Sequence, residues 1–381
     1  MIKSKILDKD VSLLGFGLMR LPKVADKASD IDYEASIKLV DYAMANGVNY
    51  FDMAYTYSGS EEFAGQALSK YPRDSYYLAT KCPPWKVNSA DDFDRIFEEQ
   101  LRRCKTDYFD FYLIHNFAQE LMRAAGNKES FEKFEKIGFY DMLQRKKAVG
   151  KIHALGFSFH GTLDLLEKFV DKYEVDFGQL QINYIDWTAT NAERQYEILS
   201  KRNIPITIME PLRGGALATL STESSKMLKD ANPNVSLANW GIRYAASLPG
   251  VLTILSGMNT MGQLVDNIAT IENFQPVTEQ EKELLYETAA VYRKSGAIAC
   301  TGCGYCVPCP LGVNIPRIFS IYNHARLMNY RIPFDNGYAT LDDKEKASSC
   351  TKCGQCVEQC PQHLTIPEYM QEINEFAKSS D

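Results

Sequence analysis

No apolar run in the 381-residue chain is long enough to span a bilayer, so a membrane-crossing helix is not expected. The first stretch, MIKSKILDKDVSLLGFGLM, lacks the continuous apolar segment and small-residue cleavage site of a secretory signal. No stripe of Lys and Arg is present and the formal net charge is −7, which argues against broad nucleic-acid binding. No GxGxxG follows any apolar run; Gly15-Phe16-Gly17 stops after two glycines, which disfavours an open, doubly wound dinucleotide-binding sheet. Low-complexity segments are absent. Cysteine is scarce before position 300, where only Cys82 and Cys104 occur; the other eight of the ten fall between 300 and 360. Disulfide scaffolds belong to small secreted chains. The cluster therefore reads as metal binding in a reducing, cytoplasmic compartment.

What is present supports a sizeable core: 45% of residues are hydrophobic and 24% charged. Between positions 12 and 272, eight short apolar runs alternate with amphipathic stretches. The runs are LLGFGLM, YFDMA, YYLATK, FDFYLIH, ALGFSF, FGQLQINY, PITIMEP and VLTILSG. Each is rich in aromatic or β-branched residues, as strands buried on both faces are. Run-then-helix units in that number point to a closed parallel (β/α)8 TIM barrel over 1–275. The segment 274–299 reads as a helix opened by a capping box at Thr278-Glu-Gln-Glu281, and 276–299 connects the barrel to a separate domain over 300–381.

That last domain carries a repeated motif. Cys300, Cys303 and Cys306 are spaced CxxCxxC and followed by Cys309-Pro310; Cys350, Cys353 and Cys356 repeat the spacing, followed by Cys360-Pro361. Three closely spaced thiolates aim at one iron–sulfur cube, and the Pro-flanked fourth cysteine ligates the other cube. The expected sets are Cys300, Cys303, Cys306 with Cys360, and Cys350, Cys353, Cys356 with Cys309. Two residues separate Cys306 from Cys309, where the second copy has three. Structural zinc is the alternative for paired CxxC motifs, but it does not need the Cys-Pro step. The repeat continues as CPLGVNIP against CPQHLTIP, each followed by an apolar helical stretch. The tail resembles the all-helical ferredoxin-like domains that hold two [4Fe-4S] clusters.

Four residues in the barrel make chemical sense together. Asp52 and Tyr57 follow the second run, Lys81 ends the third and His115 ends the fourth. In a barrel these strand ends share one face, where active sites form. A phenol is a weak acid, with an ordinary pKa of about 10. An ammonium from Lys81, held by Asp52, stabilises the phenolate. His115 orients a carbonyl oxygen toward the Tyr57 hydroxyl, giving a general acid that protonates oxygen as hydride reaches carbon.

On FDMAYTY, ATK, LIH, ALGFS, QLQINY, MEPLRGG and SGMNTMGQLVDN, the barrel resembles the aldo-keto reductases. The resemblance implies NAD(H) or NADP(H) bound extended and a small carbonyl substrate. It assigns catalysis to Asp52, Tyr57, Lys81 and His115, and the nicotinamide carboxamide to Ser158 and Gln181. It places Met209 against the nicotinamide ring, with Pro211 and Leu212 following. Ser256, Gly257, Met258, Gln263 and Asn267 line the pyrophosphate and adenosine end. Arg213 is a candidate phosphate contact or an exposed loop arginine. His160 lies where it can touch substrate, whereas Cys82 reads as a core thiol. The sequence departs from the family at Phe159, where Asn is usual, and at Met209, where an aromatic is common. Gly257 and Gln263 replace the cations that hold the 2′-phosphate of NADP. Phe159 and Met209 are compatible with another planar cofactor such as a flavin, although nothing indicates one.

Hydride carries two electrons and a cluster passes one. The leading expectation is an oxidoreductase whose barrel reduces a carbonyl or related group while the clusters transfer electrons, with a ferredoxin or flavoprotein as redox partner. The alternatives are a reductase whose clusters are structural clips, and a redox-sensing or electron-transfer subunit with little turnover. The segments 117–130 and 217–234, which would define the substrate, carry no readable signature.

Overall fold

Each of the eight apolar runs corresponds to one strand of a closed parallel barrel in the computed structural model, which describes residues 1–24, 27–116 and 129–379. The strands are β1 (Leu14–Gly17), β2 (Tyr50–Asp52), β3 (Tyr77–Cys82), β4 (Phe109–Ile114), β5 (Ile152–Phe159), β6 (Phe177–Gln181), β7 (Ile206–Met209) and β8 (Val251–Ser256). They pair in chain order, and β8 closes on β1 through Ile254 opposite Leu14. Nearly every strand residue is buried, because side chains pack both the barrel interior and the helical layer outside. An antiparallel hairpin, Lys3–Ile6 with Lys9–Ser12, precedes β1 and has no legible sequence pattern. Its Ile6 and Val11 join Tyr50, Ala79, Phe111, Ala154 and Phe177 in one apolar cluster.

The chain divides into two compact units: Met1–Pro211 with Ala238–Val277, and Leu212–Leu237 with Thr278–Asp381. In the first, the amphipathic stretches between the runs form helices at Tyr33–Ala45, Ala90–Cys104, Leu163–Lys172, Ala192–Ser200 and Met261–Glu272, and two helices, Glu129–Lys136 and Phe139–Ala148, precede β5. Helix Ser60–Leu68 escapes the apolar periodicity because it packs through small residues. A Cβ on Gly65 would lie 2.2 Å from the Arg103 carbonyl oxygen, so only glycine lets this helix approach Ala90–Cys104 so closely.

The second unit is helical. Its helix Glu279–Lys294 opens with the expected capping box: Thr278 Oγ1 accepts from Glu281 N–H at 3.2 Å, and Glu281 Oε2 accepts from Thr278 N–H at 2.8 Å. It is shorter than the 274–299 expected, since Pro276 lies before its start and Gly296, at φ 70°, beyond its end. Both Ile-Pro steps place proline in the first turn of a helix, Ile315–Met328 and Ile366–Lys378. The two helices pair across the repeat: the rings of Phe319 and Tyr369 lie 5.9 Å apart and the Tyr322 hydroxyl donates to Glu372 at 2.6 Å. Ile318, Phe319, Phe334, Met370 and Ile373 belong to the core of this unit.

Candidate active site and cluster sites

The expected catalytic side chains sit at the C-terminal mouth of the barrel, carried by strand ends that parallel pairing holds side by side. Lys81, near the end of β3, is fully buried and donates to Asp52 Oδ1 and Oδ2 at 2.6 and 2.7 Å and to the Met53 carbonyl at 2.8 Å. Burial favours the neutral form of each partner: it lowers the Lys81 pKa and raises that of Asp52, while their attraction opposes both shifts. The Lys81 ammonium lies 4.9 Å from the centre of the Tyr57 ring, which meets the His115 ring edge-on at 5.7 Å. Burial, then the charges of Lys81 and His160, push the His115 pKa well below its ordinary value, so the imidazole is neutral at neutral pH. The Thr56 hydroxyl lies 3.4 Å from His115 Nδ1, and the Trp85 ring 5.5 Å from the imidazole.

The buried pair makes a prediction. Replacing Lys81 by Met strands the Asp52 carboxylate in the interior and is expected to destabilise the barrel by about 3–5 kcal/mol. Denaturant unfolding followed by fluorescence measures the loss. The double change Asp52→Leu with Lys81→Met should recover most of it; a double variant as unstable as the single one contradicts the argument.

The expected cofactor residues follow the same rim. Ser158 lies near the end of β5, Gln181 ends β6, Met209 ends β7 and Ser256 ends β8. Gln181 donates to Asp186 at 2.7 Å, which fixes its amide. Asn267 donates to Ser256 Oγ at 3.0 Å, and its own Oδ1 is buried with no hydrogen-bond partner among the described residues. Such an oxygen suits a ligand that brings a donor, as an adenine amino group does. Met258 is buried, and Gln263 is exposed with its Oε1 accepting from Asn259 N–H. Pro211 closes the first unit, whereas Leu212 and Arg213 belong to the second. Arg213 is 6% exposed, so the reading of it as an exposed loop arginine does not hold. Cys82 is fully buried, and burial pushes its thiol pKa up, which makes it an inert core residue.

Four residues at this mouth are missing from the expected site. Arg20, after β1, donates to Glu210, after β7, at 2.6 Å. A Cβ on Gly257 would meet the Arg20 side chain at 3.2 Å, so the room a longer residue needs at 257 is taken by arginine. Trp85 is visible in the sequence only as an aromatic just past a strand end, and Asn116 only as the neighbour of His115. The segment 117–128, part of the expected substrate loop, lies outside the described residues.

In the second unit the cysteines gather as two interleaved sets. Burial raises the Cys306 pKa, helped by the neighbouring thiols of Cys303, Cys300 and Cys360. Burial likewise pushes Cys356 up to about 11, helped by Cys350, Cys353 and Cys309. Each Pro-flanked cysteine thus stands with the other half's triplet. The backbone repeats too: left-handed φ recurs at Gly302 and Lys352, at Gly304 and Gly354, and at Gly312 and His363. Among the described residues, no group of three or more His, Cys, Asp or Glu side chains closes in as a single metal ion requires. Cys309, Cys350, Cys353 and Cys356, with Cys306 beside them, line a cavity of about 330 Å³.

The sequence model described as "Aldo/keto reductase family" matches residues 13–288. This chain belongs to that family. A second model, a 4Fe-4S dicluster domain, matches residues 299–366 of the same chain. The chain is 24% identical over 308 residues to the uncharacterized oxidoreductase YqkF of Bacillus subtilis, covering 73% of this chain and 92% of that one. It is 22% identical over 317 residues to the NADH-specific methylglyoxal reductase of Escherichia coli, covering 69% and 91%. Its fold matches the holo form of aldo-keto reductase AKR11C1 from Bacillus halodurans with TM-score 0.61 at 21% identity, over 76% of this chain and 96% of that one. It also matches a Klebsiella pneumoniae aldo-keto reductase in complex with NADPH, TM-score 0.57 at 22% identity, over 77% and 96%. At such identities the structural likeness carries the fold alone. No helix among the described residues is long and apolar enough to cross a membrane.

Proposed function

We propose that the barrel reduces a small carbonyl compound with a nicotinamide cofactor, and that two [4Fe-4S] clusters in the second unit carry single electrons to or from a redox partner. The convergence of Asp52, Tyr57, Lys81 and His115 carries the first part. A nicotinamide bound here would supply hydride to the carbonyl carbon. Tyr57 donates its proton to the carbonyl oxygen, and the neutral His115 imidazole hydrogen-bonds that oxygen and sets its direction. Lys81, kept cationic by Asp52 and the Met53 carbonyl, stabilises the negative charge that grows on the phenol oxygen. Ser158 and Gln181 hold the carboxamide, and Ser256 and Asn267 the adenosine end. NADH suits the site at least as well as NADPH. Positions 257 and 263 offer no cation to a 2′-phosphate, and the guanidinium of Arg20 is already paired with Glu210. The NADH-specific relative from Escherichia coli and the NADPH-bound Klebsiella fold neighbour support a nicotinamide in either form.

The second part rests on the paired cysteine sets. One hydride holds two electrons and each cluster accepts one, so two clusters match one nicotinamide in electron count. The test uses anaerobically purified protein with its clusters intact. With a flavoprotein present to divide each hydride into single electrons, NADH should bleach the visible absorption of the clusters, with two clusters reduced per NADH consumed. Bleaching by dithionite but not by NADH, with carbonyl turnover intact, would leave the clusters structural and overturn the electron-transfer reading. No turnover of any aldehyde or ketone would favour the redox-sensing alternative.

A further inference from the structure

We infer that Asn116 Oδ1 is the acceptor for the NH2 group of the nicotinamide carboxamide, taking the place of the Asn that position 159 lacks. The inference rests on the proposed use of a nicotinamide cofactor. Asn116 directly follows His115 at the C-terminal end of β4 and is 4% exposed, yet its Oδ1 has no hydrogen-bond partner among the described residues. A buried amide oxygen left in that state is destabilising, so its presence at a ligand mouth marks a position completed by a ligand donor.

The neighbours define which donor. β4 and β5 are adjacent, with Ile114 opposite Phe157, so the chain just past β4 runs beside the end of β5. The Asn116 N–H donates to Ser158 Oγ at 3.0 Å. That bond uses one acceptor site of the hydroxyl and leaves its single proton to point elsewhere. Side by side, then, the mouth presents a hydroxyl donor from Ser158 and a carbonyl acceptor from Asn116. A primary carboxamide is the complementary group, with an oxygen that accepts and an NH2 that donates. Phe159 cannot take part, because it is fully buried and its ring lies 6.4 Å from that of Phe157 in the core. Asn116 holds φ at 43°, a left-handed conformation that Asn tolerates better than most residues. The polar contact has thus moved from the end of β5 to the end of β4.

The test is a binding cycle read by titration calorimetry, without turnover. NAD⁺ is compared with its 3-acetylpyridine analogue, in which a methyl group replaces the carboxamide NH2. The full-length wild-type chain should bind the analogue about tenfold more weakly than NAD⁺. Asn116→Leu should bind NAD⁺ about tenfold more weakly than wild type and lose most of the preference for NAD⁺ over the analogue; Asn116→Ala gives the same comparison should the Leu variant fail to fold. A variant that binds NAD⁺ as wild type does, or keeps the preference for NAD⁺ over the analogue, overturns this inference alone. Failure of the wild-type chain to bind any nicotinamide dinucleotide overturns it together with the proposed function.

Discussion

Tyr57→Phe is expected to lower the kcat for carbonyl reduction by about 10²- to 10⁴-fold while leaving nicotinamide affinity unchanged. The substitution removes one oxygen and keeps the ring. The edge-on contact with His115 at 5.7 Å and the Lys81 ammonium at 4.9 Å from the ring centre both survive, so the mouth stays packed. What is lost is the proton for the developing alkoxide. His115 cannot supply it, because burial and the Lys81 and His160 charges keep its imidazole unprotonated at neutral pH. For the same reason, the wild-type pH–rate profile should show no limb near the ordinary histidine pKa of about 6.5 from His115. Steady-state kinetics with a small aldehyde, paired with a fluorescence titration of NADH, separates the two effects. Undiminished turnover in the Phe variant would remove Tyr57 from the acid role.

Serine substitutions in the tail should show that the clusters exchange their fourth ligands. Each four-cysteine set holds one cube of four irons, so a chain with both loaded carries about eight. The thiols around Cys356 are those of Cys350, Cys353 and Cys309, and the thiols around Cys306 are those of Cys303, Cys300 and Cys360. Cys309→Ser combined with Cys353→Ser should therefore damage one cluster twice and retain about four irons. Cys309→Ser combined with Cys303→Ser should damage both and retain almost none. Iron analysis and low-temperature electron paramagnetic resonance of the anaerobically purified variants read the outcome. If the first pair loses everything and the second keeps half, Cys309 belongs with its sequence neighbours and the crossed assignment is wrong.

Much of the barrel is legible in the order of its residues. Strand runs such as FDFYLIH stand out because a strand buried on both faces must be apolar throughout. The Thr278 to Glu281 capping box is visible because it is a contact between residues three apart. Helix Ser60–Leu68 is hidden because its inward stripe of Phe63, Ala64, Ala67 and Leu68 is short and half alanine, and its close packing depends on the absence of a side chain at Gly65. The hairpin before β1 is hidden because its strands are four residues each, too short for alternation to show.

Spacing along the chain is enough to specify the strand order, the four expected catalytic residue types and the two cysteine triplets. In each case the information lies among residues close together in sequence. Folding in three dimensions adds that Arg20 pairs with Glu210 across 190 positions, that Thr56 faces His115, and that Asn116 bonds to Ser158. Those outcomes depend on which strand ends become neighbours when the barrel closes, and on what fills the space between them. Barrel closure sets both at once, and no local period or motif records either.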